Sequence, residues 1–142
     1  MPVRSAKAEW RGDLKNGNGT FETETGAASG AYSFSSRFED GAGTNPDELI
    51  AAAHAACFSM ALSGELGKAG HQPERVHTTA RVHVERGESG FGITRIDLVT
   101  RASVPGLDEE AFKEQAEAAK VGCPVSKALA AVEITLDAAL EG

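Results

Sequence analysis

Asn45-Pro46-Asp47-Glu48-Leu49-Ile50-Ala51-Ala52-Ala53-His54-Ala55-Ala56-Cys57-Phe58-Ser59-Met60-Ala61-Leu62 is the stretch on which the fold turns. Asn45 is a good helix N-cap, and Pro46 fits the first helical position, where its missing N–H costs little. The pattern predicts one helix over residues 45–68, about 24 residues or roughly 36 Å at 1.5 Å per residue. Gly64, Gly67 and Gly70 mark its fraying end. Between Leu49 and Ala61 there are few polar side chains. A helix apolar nearly all round is surrounded by protein, and here strands must supply the wrapping. Within it Ile50, Ala53 and Cys57 stand at the spacing of a core stripe.

The strands lie on both sides. Upstream, residues 5–11 carry Trp10 and end at Gly12-Asp13, and Asn16-Gly17-Asn18-Gly19 reads as a turn. Phe21, Thr23 and Thr25 alternate with Glu22 and Glu24, and Tyr32 and Phe34 suggest a third strand. Downstream, residues 75–86 alternate between Val76, Thr78, Ala80, Val82, Val84 and their polar neighbours. Gly87-Glu88-Ser89-Gly90 reads as a hairpin loop. From Phe91 to Val104 the alternation slips by one residue, which predicts a bulge near Thr94-Arg95. Asp108 caps an amphipathic helix to Lys120, a short helix starts at Pro124, and Val132, Ile134, Leu136 and Ala138 form a last strand. The order βββ-α-ββ-α-α-β predicts a single α+β domain over residues 1–142.

With 142 residues, 41 % hydrophobic and 25 % charged, the chain can bury a core without staples. A net charge of −7 argues against nucleic acid as partner. No uninterrupted apolar run approaches a membrane span, so no membrane partner is expected. The start Met1-Pro2-Val3-Arg4-Ser5 lacks the apolar core of a signal peptide. Two cysteines without an export signal fit the reducing cytosol, and the expected location is cytoplasmic. Two cysteines cannot build a four-ligand zinc site. His54, His71, His77 and His83 show no spacing that would complete one, so neither metal nor cofactor is expected.

The two cysteines stand in different settings. Cys57 lies on the apolar helix, where burial alone raises a thiol pKa and keeps it inert. A reactive Cys57 needs a cation nearby, preferably an arginine, which stays charged when desolvated. Arg37, in Ser35-Ser36-Arg37-Phe38-Glu39-Asp40, is the candidate; it also reads as a solvated surface residue. Glu48 either holds Arg37 or serves as the N3 residue of a capping box with Asn45. Glu48 and Cys57 are nine residues apart, roughly 900° of helical rotation, which puts them on nearly opposite faces. That hints at a site completed by a second subunit. Cys123 differs: with Pro124 at the first helical position it falls at an N-cap, a setting that lowers a thiol pKa. It also reads as a small residue at a tight corner after Gly122.

The segment from Arg37 through Asn45-Pro46-Asp47-Glu48-Leu49-Ile50 to His54-Ala55-Ala56-Cys57-Phe58-Ser59-Met60-Ala61-Leu62 resembles the first motif of the OsmC/Ohr family of thiol-dependent hydroperoxide reductases. Gly122-Cys123-Pro124-Val125-Ser126-Lys127-Ala128-Leu129 resembles its second. The likeness runs over nearly the whole chain and favours the OsmC branch, because Arg37 directly precedes the helix; Arg11 is the weaker alternative. The resemblance implies an OsmC-like fold in which strands of an intertwined homodimer wrap long central helices. It implies that a Cys57 thiolate, stabilised by Arg37 with Glu48 orienting it, attacks organic hydroperoxides, and hydrogen peroxide less well. A Cys57 sulfenic acid then forms a disulfide with Cys123, which an external dithiol, such as a lipoylated protein, reduces. Phe58 and Met60 would line an apolar pocket. Two other readings stand beside this one. One is a thioester hydrolase of hot-dog-like architecture with Glu48 as the acid, an analogy of fold alone. The other is a non-catalytic dimer that binds an apolar ligand.

Overall fold

The computed structural model describes residues 2–141. The chain divides into two compact units, one ending at Leu49 and one starting at Ile50.

The first unit is an antiparallel meander of β1 (Ala6–Arg11), β2 (Asn18–Thr23) and β3 (Ser29–Tyr32), in that spatial order. The first turn comes earlier than the Asn-Gly pairs suggest. Gly12 takes φ 93° and the Gly17 N–H closes on the Asp13 carbonyl at 2.9 Å, so Asn18 and Gly19 already belong to β2. Gly19 is needed as glycine: a Cβ there would stand 2.6 Å from the Tyr32 ring and 2.7 Å from the Trp10 ring, two rings whose centroids are 5.6 Å apart. Thr25 lies beyond β2, in the turn that follows it.

Phe34 does not extend the third strand. It opens a five-residue helix, α1 (Phe34–Phe38), so the order becomes βββ-α-α-ββ-α-α-β. Ser33 and Ser36 form a reciprocal capping box: Ser36 N–H donates to Ser33 Oγ at 3.0 Å and Ser33 N–H to Ser36 Oγ at 2.8 Å. Ser36 Oγ also donates to the Thr44 carbonyl at 2.7 Å, and Asn45 Nδ2 to the Ser36 carbonyl at 3.0 Å. These bonds pin α1 to the start of α2 (Pro46–Lys68), which Asn45 caps through a 2.7 Å bond from the Glu48 N–H.

In the second unit β4 (Arg75–Gly87) pairs antiparallel with β5 (Gly90–Ser103), and β6 (Glu133–Leu140) pairs parallel with β5 on its other edge. Opposite His83 and Val84, β5 presents Arg95 and Ile93, leaving Thr94 as the extra residue of a bulge. Between β5 and β6 run α3 (Glu109–Gly122), capped by Asp108 through the Ala111 N–H, and α4 (Pro124–Ala128). Parallel pairing requires such a crossover.

The core of this unit is Phe58, Leu62 and Leu66 of α2, Ile96, Leu98 and Ala102 of β5, and Phe112, Ala116 and Ala119 of α3. The stripe of α2 that faces it is His54, Phe58, Leu62 and Leu66, all fully buried at a spacing of four. It is not the expected stripe through Ile50, Ala53 and Cys57: Ala53 is exposed, and Ile50 and Cys57 are half-buried. The larger side chains took the core and left alanines outside. Nor is α2 wrapped on all sides within one chain, since Ala52, Ala53, Ala56 and Met60 are exposed, Met60 at 77 %. Phe58 is core, so it lines no pocket with Met60. The 23 residues of α2 do reach the length and mean composition of a membrane span, which a count of uninterrupted apolar residues overlooks. Its buried stripe belongs to a packed core.

Candidate functional site: a thiol pair and an arginine–aspartate clamp

Cys123 sits where α3 ends and α4 begins. Its N–H closes α3 on the Ala119 carbonyl at 2.8 Å, and its backbone (φ −60°, ψ 122°) is the extended conformation that a following proline imposes. Pro124 thus breaks the helix and turns the Cys123 side chain inward, where it is fully buried. Cys57, half-buried one position before the core residue Phe58, meets it: the two sulfurs are 3.0 Å apart and both thiols are free.

The pair divides its protons unevenly. Burial pushes the Cys57 thiol up, the hydrogen bond from Cys123 adds to that, and only the Val125 backbone opposes it. Burial also pushes Cys123 up. Hydrogen bonds from Cys57, from the Ser126 N–H and hydroxyl and from the Val125 N–H outweigh it, and the net direction is down. Below the pair, His54 Nε2 and Ser126 Oγ are 2.7 Å apart in the same buried region.

Arg37 and Glu48 lie in the first unit, and they are not paired with each other. Arg37 makes a bidentate clamp on Asp47, with Nε to Oδ2 at 2.9 Å and Nη2 to Oδ1 at 3.2 Å. Glu48 instead accepts a short hydrogen bond from the Thr44 hydroxyl. The expectation that Glu48 orients Arg37 therefore passes to Asp47. Successive helical residues point about 100° apart, so only one of the two can face α1. Asp47 does so and is buried (6 % exposed), whereas Glu48 is exposed and reaches back past the N-cap. Arg37 also lies over the Phe38 ring, 5.2 Å from its centroid. Beside it Trp10, Leu14, Tyr32, Phe34 and Phe38 line a cleft of about 260 Å³. Arg11, the weaker candidate, is an exposed partner of Glu9.

Asp47, Ser126 and His54 are the residues that sequence reasoning passed over. Asp47 was one carboxylate of two adjacent ones. The signal for the others was their spacing, three residues from each cysteine.

A family model described as OsmC-like protein matches residues 39–137, which holds both cysteines and Asp47. The chain belongs to the OsmC-like family. It is 51 % identical over 135 residues to the peroxiredoxin OsmC of Escherichia coli K12, covering 94 % of each chain. It is 34 % identical over 98 residues to the organic hydroperoxide resistance protein of Xanthomonas axonopodis pv. citri, covering 68 % of this chain and 67 % of that one. Among solved structures, OhrB of Bacillus subtilis matches with a TM-score of 0.73 and 27 % identity, over 96 % of this chain and 98 % of the other. The organic hydroperoxide resistance protein of Elizabethkingia anophelis matches with 0.74 and 25 %, over 99 % of both. These likenesses agree with the expected α+β, OsmC-like fold and with the OsmC branch. Among the described residues of this OsmC-like chain, no group of three or more His, Cys, Asp or Glu is placed to hold a metal.

Proposed function

We propose that the protein is a thiol-dependent peroxidase that reduces organic hydroperoxides. The observation that carries the reading is the pair of free sulfurs 3.0 Å apart in a buried setting. The names of its relatives, peroxiredoxin and organic hydroperoxide resistance protein, support it. Cys57 is the attacking thiol, because it is half-exposed while Cys123 is sealed. Its thiolate displaces alkoxide from the terminal peroxide oxygen, giving an alcohol once the alkoxide is protonated, and a Cys57 sulfenic acid. Cys123 attacks that sulfur, the S–O bond breaks, and the thiol proton and hydroxyl leave as water. An external dithiol reduces the disulfide and becomes a disulfide itself.

The cation that lowers the Cys57 pKa is Arg37, aimed by Asp47 in place of Glu48, and we assign it to a second copy of the chain. The exposed Ala52, Ala53, Ala56 and Met60 face of α2 supports such a homodimer, since small residues let two helices approach closely. In that reading the 1–142 chain works as one functional domain, and the aromatic cleft beside Arg37 takes the R group of the peroxide. The compartment is the reducing cytosol, where a dithiol such as a lipoylated protein can recycle the enzyme.

Steady-state turnover of cumene hydroperoxide with a dithiol, in wild type and Cys57→Ser, tests the reading. Wild type should turn over and the variant should not; a fully active Cys57→Ser protein would sink it.

A further inference from the structure

The proposed reaction leaves a buried histidine without a task. His54 is fully buried on the core stripe of α2, where Phe58, Leu62 and Leu66 occupy the equivalent positions. A histidine there is costly unless its polar atoms are used. Nε2 is used, at 2.7 Å from Ser126 Oγ. Nδ1 is buried with no hydrogen-bond partner among the described residues. Burial lowers the pKa of His54, so the ring is neutral near pH 7 and carries one proton. A buried N–H without a partner is worse than a buried lone pair without one. The proton therefore sits on Nε2, and Nε2 donates to Ser126 Oγ. Ser126 then has its own O–H to give, and that hydroxyl and the Ser126 N–H both reach the Cys123 sulfur. The orphan Nδ1 thus sets the polarity of the chain: His54 to Ser126 to Cys123.

We propose that Ser126 is a catalytic residue of the resolving step, with His54 as the positioning residue that aims its hydroxyl, and that together they hold Cys123 as a thiolate ready to attack the oxidised Cys57. The inference rests on the peroxidase reading above and adds to it the group that prepares the second thiol. In the step, the Cys123 proton goes to solvent as the thiolate forms under the Ser126 hydroxyl. The thiolate electron pair makes the S–S bond, the Cys57 S–O bond breaks, and the departing hydroxide takes a proton from solvent to become water. The groups acting on Cys123 are Cys57, Ser126 and Val125, so the two thiols and His54 are the titrating members of the cluster.

Two measurements test this. In a Cys57→Ala background, the thiolate absorbance of Cys123 is titrated against pH, with and without Ser126→Ala. A hydrogen bond to an ionised group corresponds to about one pH unit, so the Ser126→Ala midpoint should rise by about that much. His54→Leu should raise it by less, His54→Gln should restore it by returning an N–H donor, and Ser126→Thr should keep it near wild type. In the protein with both cysteines, rapid-mixing with one equivalent of cumene hydroperoxide should show Cys57 sulfenic acid forming at the wild-type rate in Ser126→Ala. Its conversion to disulfide should be about tenfold slower. Unchanged Cys123 midpoints in folded Ser126→Ala and His54→Leu proteins overturn the relay. So does a Ser126→Thr protein no better than Ser126→Ala, which would mark a packing role. If wild type forms no sulfenic acid with peroxide, the peroxidase reading fails instead, and the Cys123 titration still judges the relay.

Discussion

Replacing Asp47 by asparagine tests which carboxylate governs the arginine. In the native clamp both Asp47 oxygens accept from Arg37, at 2.9 Å and 3.2 Å, and Asp47 is 9 % exposed at its side chain against 37 % for Arg37. Asparagine keeps one acceptor, turns the other into a donor facing a guanidinium N–H, and removes the charge. A hydrogen bond to a charged group contributes roughly 1.5–3 kcal/mol net. Because more than a third of the Arg37 side chain is open to solvent, the loss is discounted to about 1–2 kcal/mol. If that energy is spent on aiming Arg37 at the Cys57 thiolate, kcat/KM for cumene hydroperoxide should fall roughly 5–30-fold. Glu48→Gln is the control. Its amide oxygen still accepts from the Thr44 hydroxyl, and the rate should stay within about twofold, as for most exposed substitutions. The assay is peroxide consumption at saturating dithiol, with thermal melts to confirm folding. If Glu48→Gln loses activity while Asp47→Asn keeps it, the clamp is structural and the catalytic acid is Glu48 after all.

Other perturbations give distinct readouts. Cys123→Ser should stop at Cys57 sulfenic acid after one equivalent of peroxide, seen by mass spectrometry as one added oxygen; a disulfide-linked product would contradict the pairing. The Asp97 carboxyl is held well below the usual range by the Thr135 hydroxyl, then by His83 and Arg95, against the opposing effect of burial. A depressed folded pKa contributes stability that is present above the unfolded value of about 3.9 and lost as pH falls toward the folded one. The melting temperature of Asp97→Asn should therefore lie below wild type at pH 7, with the gap narrowing below about pH 4; a gap independent of pH would remove the electrostatic explanation. Ser36→Ala deletes the bond to Thr44 and half of the capping box. It should cost about 1 kcal/mol in denaturant melts and loosen Arg37. Phe58→Ala should cost about 3–5 kcal/mol, the range for a fully buried aromatic.

Much of the fold was legible because single residues carry backbone signals. Asn45-Pro46 starts α2, Asp108 starts α3, Gly90 with φ 106° closes the hairpin, and the slipped alternation marks Thr94 as the bulge. The misreadings share a cause. Alternation in Tyr32 and Phe34 looks the same whether the chain continues as strand or turns into α1, and only the tertiary bond from Ser36 to Thr44 decides it. The buried stripe of α2 was misassigned because alanine fits either face, while Phe58, Leu62 and Leu66 compete for the core. Both thiols could be named from their motifs, and their 3.0 Å approach follows from the crossover between β5 and β6. Asp47 and Glu48 are adjacent carboxylates, and a choice between adjacent helical positions depends on where α1 lies.

The 66-residue separation of Cys57 and Cys123 couples oxidation to unfolding. Joining the sulfurs would close a long loop in the denatured chain, and the chain-entropy relation gives about 4 kcal/mol for a loop of that size. By the same thermodynamic cycle, whatever the bond adds to the folded state, the fold adds to the bond. The oxidised protein should therefore melt higher than the reduced one, and a destabilised variant should surrender its disulfide to a weaker dithiol. A reductant acting on this enzyme works against the cohesion of its second unit as well as against a sulfur–sulfur bond.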